Sequence, residues 1–202
     1  MERKLVWVGL AILVILGIAI GAAYLLRDNS YRGVLYNPAV TAYDFRLESG
    51  NGEQVSLHDF RGKLVLLFFG FTNCTDICPT TLAILSRLNA ELGEKAAQVQ
   101  VIYITVDPQR DTPQRMQEYV TQFDPAFIGL SGSEETLQHV WDAFGVARKI
   151  EPAASGHSHG YDVTHSTRLY LIDKDGRLYL SYAYGTPQAD ILHDIQVLMG
   201  SK

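Results

Sequence analysis

The chain contains only two cysteines, Cys74 and Cys78, and three residues separate them. They follow an apolar run, Leu64–Phe69, and Pro79 comes directly after the second cysteine. Proline and the two threonines after it favour the first turn of a helix, so we predict a loop that leads into a helix beginning at Pro79. The positive end of a helix lowers the pKa of a nearby cysteine and populates its thiolate, which is both a nucleophile and a metal ligand. The pair is therefore suited to redox exchange, to metal binding or to both.

The spacing of the two cysteines leaves both chemistries open. A purely structural disulfide that closes so short a loop would stabilise the fold only slightly. Thioredoxin-type redox pairs have two intervening residues, and the third residue here widens the loop, which favours a metal ion between the sulfurs. A disulfide is still allowed if the two Cα atoms come within about 7 Å of each other.

The chain begins with an apolar segment that is long enough to cross a membrane. Residues 5–26 contain no charged side chain, and a helix of about 20 residues spans the hydrocarbon core. Arg3 and Lys4 precede the segment, so the positive-inside rule predicts a cytoplasmic N-terminus. A cleaved signal peptide is the alternative, but its apolar region is usually about 7–15 residues long. We therefore predict an uncleaved single-pass anchor over residues 1–27 in a bacterial inner membrane, with the C-terminal domain in the periplasm.

The rest of the 202-residue chain has the size of one ordinary domain. We predict a linker over residues 28–40, because this segment contains Gly33 and Pro38 and lacks a sustained hydrophobic period, and one domain over residues 41–202. The formal net charge of -5 argues against nucleic acid as a partner, since nucleic acid needs a basic face. In the oxidising periplasm a disulfide between the two cysteines can form and persist.

Strand and helix patterns alternate along this domain. We predict strands at 45–47, 54–57, 64–69, 99–106, 127–130, 167–173 and 178–184, and helices at 82–92, 112–123, 133–144 and 189–199. Thr112 and Ser133 are the expected N-caps of the second and third helices. This order predicts an α/β fold with helices on both faces of a sheet. A cysteine loop between the first buried strand and its helix is the arrangement of the thioredoxin fold. The N-terminal hairpin and a long insert before Thr167 make it a larger variant, preceded by one transmembrane helix.

Three motifs of the chain resemble those of the Sco/SenC proteins. They are Gly70–Leu82, with the sequence GFTNCTDICPTTL, Val106–Pro113, with the sequence VDPQRDTP, and Val163–Thr167, with the sequence VTHST. Their order and spacing match those of the family, and the resemblance runs from about Tyr43 to Met199.

The resemblance implies a membrane-anchored, thioredoxin-like copper protein that helps to build the binuclear copper site of cytochrome c oxidase. It implies that Cys74, Cys78 and His165 are the copper ligands. It also implies the copper-bearing oxidase subunit as the partner, with other periplasmic copper carriers or thiol reductases as further candidates. Thr75 and Asn73 depart from the family pattern, in which proline and histidine are frequent at these positions, but neither departure removes a ligand.

Two thiolates and one imidazole suit copper, because Cu(I) favours thiolate and Cu(II) gains from imidazole. Three protein ligands also leave room for a ligand from a partner, which helps transfer of the metal. Zinc could use the same side chains with water as the fourth ligand, and it is the resemblance that favours copper. His157 and His159 precede His165 in the sequence and form a hypothetical auxiliary copper site, for which a solvated loop is the simpler alternative.

Three functions are compatible with these residues. The first is a copper metallochaperone, which is a carrier rather than an enzyme. The alternative is a thiol-disulfide reductase that keeps the cysteines of the oxidase copper site reduced, with Cys74 and Cys78 as its redox-active pair. A thioredoxin-like peroxidase is a third and weaker candidate. His165 discriminates between the first two, because a reductase has little use for that imidazole whereas a copper carrier needs all three side chains.

Overall fold

The computed structural model describes residues 30–152 and 160–200, together with the isolated helical positions 7, 13 and 15–17. The chain divides into two compact units, Met1–Ser30 and Tyr31–Lys202. In the described part of the chain no helix is both long enough and apolar enough to cross a membrane. The predicted anchor over residues 1–27 lies almost wholly outside the described residues.

Strands and helices follow one another along the second unit. Its strands are β1 Val34–Thr41, β2 Arg46–Ser49, β3 Gln54–Ser56, β4 Leu64–Gly70, β5 Val99–Thr105, β6 Ile128–Ser131, β7 Arg148–Pro152, β8 Tyr161–His165, β9 Leu169–Ile172 and β10 Arg177–Tyr182. Its α-helices are α1 Ile77–Leu92, α2 Pro113–Thr121, α3 Glu134–Phe144 and α4 Gln188–Gly200, and short 3-10 helices cover Leu57–Phe60 and Gly93–Gln98.

Eight of these strands form one mixed sheet in the order β1-β10-β9-β4-β5-β6-β2-β3. The central strands β4, β5 and β6 are parallel, and β9 joins β4 on the other side as an antiparallel neighbour. The remaining strands, β7 and β8, pair only with each other, as an antiparallel ribbon within the insert that the sequence predicted before Thr167. The cysteine loop follows β4, and His165 is the last residue of β8.

Every residue of β4 is buried, as expected for a central strand that helices cover on both faces. Its side chains alternate between two hydrophobic clusters: Leu66 and Phe68 belong to one, and Leu67 and Phe69 belong to the other. Helices α1, α2 and α4 supply the first cluster and α3 supplies the second. Burial of one such side chain stabilises a fold by about 1.5–3 kcal/mol, so the strand that leads into the cysteine loop is firmly held.

The predicted N-caps are confirmed. The hydroxyl of Thr112 accepts the backbone N–H of Arg115 at 3.2 Å, and that of Ser133 accepts the backbone N–H of Thr136 at 3.1 Å. These bonds satisfy amide groups that the first turn of a helix leaves without partners. The helices they cap, α2 and α3, therefore begin where the sequence predicted.

The start of the helix after the cysteines differs from the prediction. Helix α1 begins at Ile77, with Asp76 as the residue before it, and Pro79 is its third residue rather than its first. Thr81 donates its hydroxyl to the carbonyl of Ile77 at 2.8 Å and caps no amide group. The earlier start places Cys78 within the first turn, where its side chain packs into the hydrophobic core.

The predicted linker is wrong for its second half. Residues Val34–Thr41 form β1, which pairs with β10 at the edge of the sheet. Val34 and Val40 remain more than half exposed, so the strand lacks the alternation of apolar and polar residues that would have revealed it. Pro38 is tolerated because the pairing is irregular between Leu35 and Val40 and the strand is an edge strand.

Candidate functional site

The two cysteines occupy different environments at one end of the sheet. Cys78 is fully buried in the first turn of α1, with 0% of its surface exposed, whereas Cys74 is half-buried in the loop before it. Both are free thiols. The backbone N–H of Cys78 donates to Cys74 Sγ at 3.4 Å. The outer sulfur is therefore accessible and hydrogen-bonded, and the inner sulfur is shielded from water.

This arrangement gives the two thiols different pKa values, lower for Cys74 and higher for Cys78. The side chain of Cys78 donates a hydrogen bond that lowers the pKa of Cys74 to about 5 against the effect of burial. The amides of Cys78 and Asp76 act in the same direction, and the protonated form of His165, present at lower pH, adds the smallest contribution. The same hydrogen bond, together with burial, raises the pKa of Cys78. At neutral pH Cys74 is therefore the thiolate and Cys78 retains the shared proton.

His165 faces the inner cysteine, Cys78. Its Nε2 atom lies 3.9 Å from Cys78 Sγ, and its Nδ1 atom lies 2.7 Å from the backbone carbonyl of Ser166. The Nδ1–H donates to that carbonyl, which leaves the Nε2 lone pair directed at the sulfur. Burial lowers the pKa of His165, so the imidazole is neutral at pH 7 and able to bind a metal.

The distance between His165 Nε2 and Cys78 Sγ is suitable for a metal ion bound to both atoms. Zinc binds sulfur at about 2.3 Å and imidazole nitrogen at about 2.0 Å, so bonds of this length with an angle near 120° separate the two ligand atoms by about 3.7 Å. Cys78 and His165, at 3.9 Å, are close to that spacing. Within the described ranges, no three His, Cys, Asp or Glu side chains already converge as a complete metal site. The Cys74 sulfur accepts the hydrogen bond of the Cys78 amide beside this pair, and the three side chains must come closer together to share one ion.

The site opens to solvent through a cleft of about 780 Å³. Cys74 and His165 both line this cleft, and Arg110 and Arg115 contribute to its wall. A cleft of this size admits a loop of another protein, so a partner side chain can approach the outer cysteine without unfolding of the domain.

Asp111 holds the cysteine loop from behind, a role that sequence reasoning missed. Its buried carboxylate accepts the backbone N–H of Thr72 at 3.0 Å, the Thr72 hydroxyl at 2.6 Å and the Thr105 hydroxyl at 2.8 Å. Burial raises the pKa of Asp111 despite these donors. Arg115 adds a hydrogen bond to the Thr72 hydroxyl at 2.7 Å. The loop is thus fixed two residues before Cys74.

Asp107 and Arg110 hold the strand that carries His165. The buried Asp107 accepts the phenol of Tyr161 at 2.6 Å and forms an ion pair with Arg110. The Arg110 guanidinium donates to the carbonyl of Tyr161 at 3.1 Å and lies 3.9 Å from the centre of its ring. Tyr161 is the first residue of β8 and His165 is the last. The motif Val106–Pro113, to which the sequence assigned no chemistry, thus supports both halves of the site.

The structure therefore brings Cys78 and His165 together and places Cys74 beside them. The residues that hold these elements in place are Asp107, Arg110 and Asp111. The auxiliary site predicted at His157 and His159 lies outside the described residues. The only available sequence signal for Asp107, Arg110 and Asp111 was their place in a family-like motif.

Comparison with known proteins gives the family. A sequence profile of the family described as SCO1/SenC matches residues 35–200. The SCO2-like protein RP587 of Rickettsia prowazekii is 39% identical over 140 residues, which cover 69% of this chain and 67% of that protein.

Solved structures of Sco proteins have the same fold. Apo Sco1 from Thermus thermophilus superposes with a TM-score of 0.75 at 37% identity, covering 84% of this chain and 97% of that one. Bradyrhizobium japonicum ScoI with copper bound gives a TM-score of 0.70 at 34% identity, covering 79% and 99%. The predicted thioredoxin-like fold is confirmed, and the chain belongs to the SCO1/SenC family.

Proposed function

We propose that this SCO1/SenC protein is a copper metallochaperone that binds copper through Cys74, Cys78 and His165. It would deliver the metal to the binuclear copper site of cytochrome c oxidase. The observation that carries the proposal is the neutral imidazole nitrogen of His165, which faces the sulfur of Cys78 at 3.9 Å beside the more acidic thiol of Cys74.

The donor set suits copper as cargo. Thiolate is the soft ligand that Cu(I) prefers, and imidazole extends the affinity of the site to Cu(II). Cys74 is ionised before the metal arrives, whereas Cys78 must release its proton to solvent when it binds. The half-buried Cys74, which lines the cleft, is the ligand that an incoming partner reaches first, and the buried Cys78 would retain the ion together with His165 until the exchange is complete.

Family membership supports copper as the metal and an oxidase subunit as its recipient. The Bradyrhizobium relative carries copper in its structure, and the resemblance of the motifs implies the copper-bearing oxidase subunit as the recipient. An anchor over residues 1–27 in a bacterial inner membrane would hold the domain in the periplasm, beside that subunit.

Transfer of copper tests this function directly. The full chain, purified reduced in detergent and loaded with one equivalent of copper, is mixed in at least twofold excess with a copper-free soluble domain of the oxidase subunit, because the binuclear centre takes two copper ions, and the mixture is then exposed to air as the oxidant. We expect the visible absorption of the binuclear centre to appear with the wild type and to be absent with His165→Ala carried through the same loading step. Failure of the wild type to bind copper, or binding without transfer, would contradict the proposal.

One observation favours thiol-disulfide reduction as the second candidate function. A lowered pKa on Cys74, which lines the cleft, and a raised pKa on the buried Cys78 are the properties of an attacking and a resolving cysteine. The same mixture without copper, with the recipient cysteines oxidised, discriminates between the two. Reduction of the recipient at equal rates by wild type and His165→Ala would support the reductase, whereas a requirement for His165 in copper loading supports the carrier.

A further inference from the structure

Tyr103 lies directly behind the inner cysteine. It belongs to β5 and pairs across the sheet with Phe68 of β4, and none of its surface is exposed. Its phenol donates to the backbone carbonyl of Phe71 at 3.1 Å. The same hydroxyl lies near the side chain of Cys78, because the hydroxyl oxygen and Cys78 Sγ both border the space above Gly70. The phenol proton thus has one acceptor in the structure, a carbonyl of the cysteine loop, and a second candidate nearby, a sulfur of the candidate metal site.

The last residue of β4 makes this approach possible. A Cβ atom on Gly70 would lie 2.3 Å from the Tyr103 hydroxyl and 2.7 Å from Cys78 Sγ. Both distances are far shorter than van der Waals contact, so any larger residue would push the phenol and the sulfur apart. The φ angle of Gly70 is not positive, so its role is to leave space rather than to supply an unusual backbone conformation.

The choice between the two acceptors depends on the state of the sulfur. A protonated thiol is a weak acceptor, so the carbonyl of Phe71 is the better partner while Cys78 keeps its proton. A cysteine bound to a metal is a thiolate. A buried thiolate has lost its hydration, and a hydrogen bond to an ionised group is about twice as strong as one between neutral groups. Rotation of the phenol hydrogen toward the sulfur then becomes favourable.

We propose that the phenol of Tyr103 donates a hydrogen bond to the sulfur of Cys78 when a soft metal ion binds, and thereby sets the affinity and reduction potential of the site. The proposal rests on the proposed function only in taking copper as that ion. Tyr103 is a positioning residue in this role, because it acts on the metal through the sulfur. A hydrogen bond withdraws electron density from the thiolate and favours Cu(I) over Cu(II).

The test compares Tyr103→Phe with Tyr119→Phe. The aromatic ring of Tyr103 stacks on Phe68 at 5.7 Å, and phenylalanine preserves that packing. Tyr119 is the matched control, because its ring lies 6.1 Å from that of Tyr103 and its buried hydroxyl has no hydrogen-bond partner in the part of the chain that the structure describes. The Cu(I) and Cd²⁺ affinities of the reduced full chain in detergent are measured by competition with a chelator.

We expect Tyr103→Phe to lower the affinity of the site for both Cu(I) and Cd²⁺ about tenfold or more, because loss of a hydrogen bond to a metal-binding side chain has an effect of this size in other proteins. We expect the metal affinities of Tyr119→Phe to stay within about twofold of those of the wild type, since this substitution removes no hydrogen bond. The copper reduction potential of Tyr103→Phe falls, and its sulfur-to-Cu(II) absorption band moves to longer wavelength, because the sulfur becomes easier to oxidise. A purely structural role would move neither the potential nor the band.

Equal affinities and spectra in wild type and Tyr103→Phe would overturn the proposal. If the wild type binds Cd²⁺ but not copper, the copper function fails while the cadmium series still decides the role of Tyr103. If Tyr103→Phe does not fold, the wild type loaded with an NMR-active cadmium isotope gives the answer. Scalar coupling between the Tyr103 hydroxyl proton and the metal supports the hydrogen bond, and absence of that coupling refutes it.

Discussion

Cys74 lies in the loop between the fully buried strand β4 and α1, and Cys78 lies in the first turn of α1, whereas His165 ends a two-stranded ribbon outside the main sheet. The loop is held by backbone continuity with β4 and by the carboxylate of Asp111. The ribbon is held by backbone continuity with β9, which begins at Leu169, and by side chains, among them the contacts of Asp107 and Arg110 with Tyr161 at the start of β8.

The difference assigns separate roles to the two regions. The cysteine loop determines the chemistry of the sulfurs, because the groups that shift the pKa of Cys74 most strongly belong to the loop and α1. The ribbon determines whether an imidazole is present beside them. The groups that set the acidity of the thiols are therefore distinct from those that position the imidazole.

The largest effect is expected from loss of the support behind the loop. Asp111→Ala leaves the Thr72 amide and two hydroxyl groups without their buried acceptor, so we expect the free energy of unfolding to fall by about 2–4 kcal/mol. Chemical denaturation measures this loss. Asp142→Ala, on the exposed face of α3, is the control and should change stability by less than about 0.5 kcal/mol. Equal stabilities of the two variants would show that the loop does not depend on Asp111.

A smaller and more local effect is expected in the ribbon. Tyr161→Phe removes the hydrogen bond to Asp107 but keeps the ring on Arg110, so global stability should fall by no more than about 1 kcal/mol. Amide hydrogen exchange in β7 and β8 should accelerate, and copper affinity should fall about tenfold because His165 is less well placed.

Tyr184→Phe, at a tyrosine that is 45% exposed, is the control for that measurement. Unchanged exchange in the ribbon of Tyr161→Phe would mean that the attachment does not rely on the phenol. Faster exchange throughout the central strands would mean that the ribbon and the sheet unfold together, which would break the distinction between the two regions.

The smallest effect is expected where the ribbon acts on the loop. His165 is the weakest of the causes that lower the pKa of Cys74 to about 5. The alkylation rate of Cys74 should therefore rise with pH through about 5 and level off above it, since a lowered pKa means that the thiolate persists above that pH. His165→Ala should shift this midpoint by only a few tenths of a unit. A midpoint near 8.5, the value of an ordinary thiol, in either protein would contradict this account.

Local pattern explains what the sequence predicted correctly. The apolar run of β4 and the N-caps Thr112 and Ser133 are decided by neighbouring residues, and so they were visible in the sequence. The place of His165 beside Cys78, 87 positions away in the sequence, was expected only because three motifs together resemble the family.

Tertiary contacts explain what the sequence did not predict. Asp111 accepts hydrogen bonds from Thr72, 39 positions away, and Asp107 accepts one from Tyr161, 54 positions away. The periodicity of the sequence does not predict such long-range pairs. Helix α1 begins before Pro79 because burial of Cys78 favours an earlier first turn over the local preference of proline. The edge strand β1 was missed because its exposed valines resemble a loop as much as a strand.

X-ray absorption of the copper-loaded chain tests most directly whether Cys74, Cys78 and His165 bind one copper ion together. We predict two sulfur ligands and one imidazole nitrogen per copper in the wild type, and in His165→Ala the same two sulfurs without that nitrogen. Copper bound by sulfur alone in the wild type, or an imidazole signal that persists in His165→Ala, would contradict the claim that the cysteine loop and the ribbon together form the metal site.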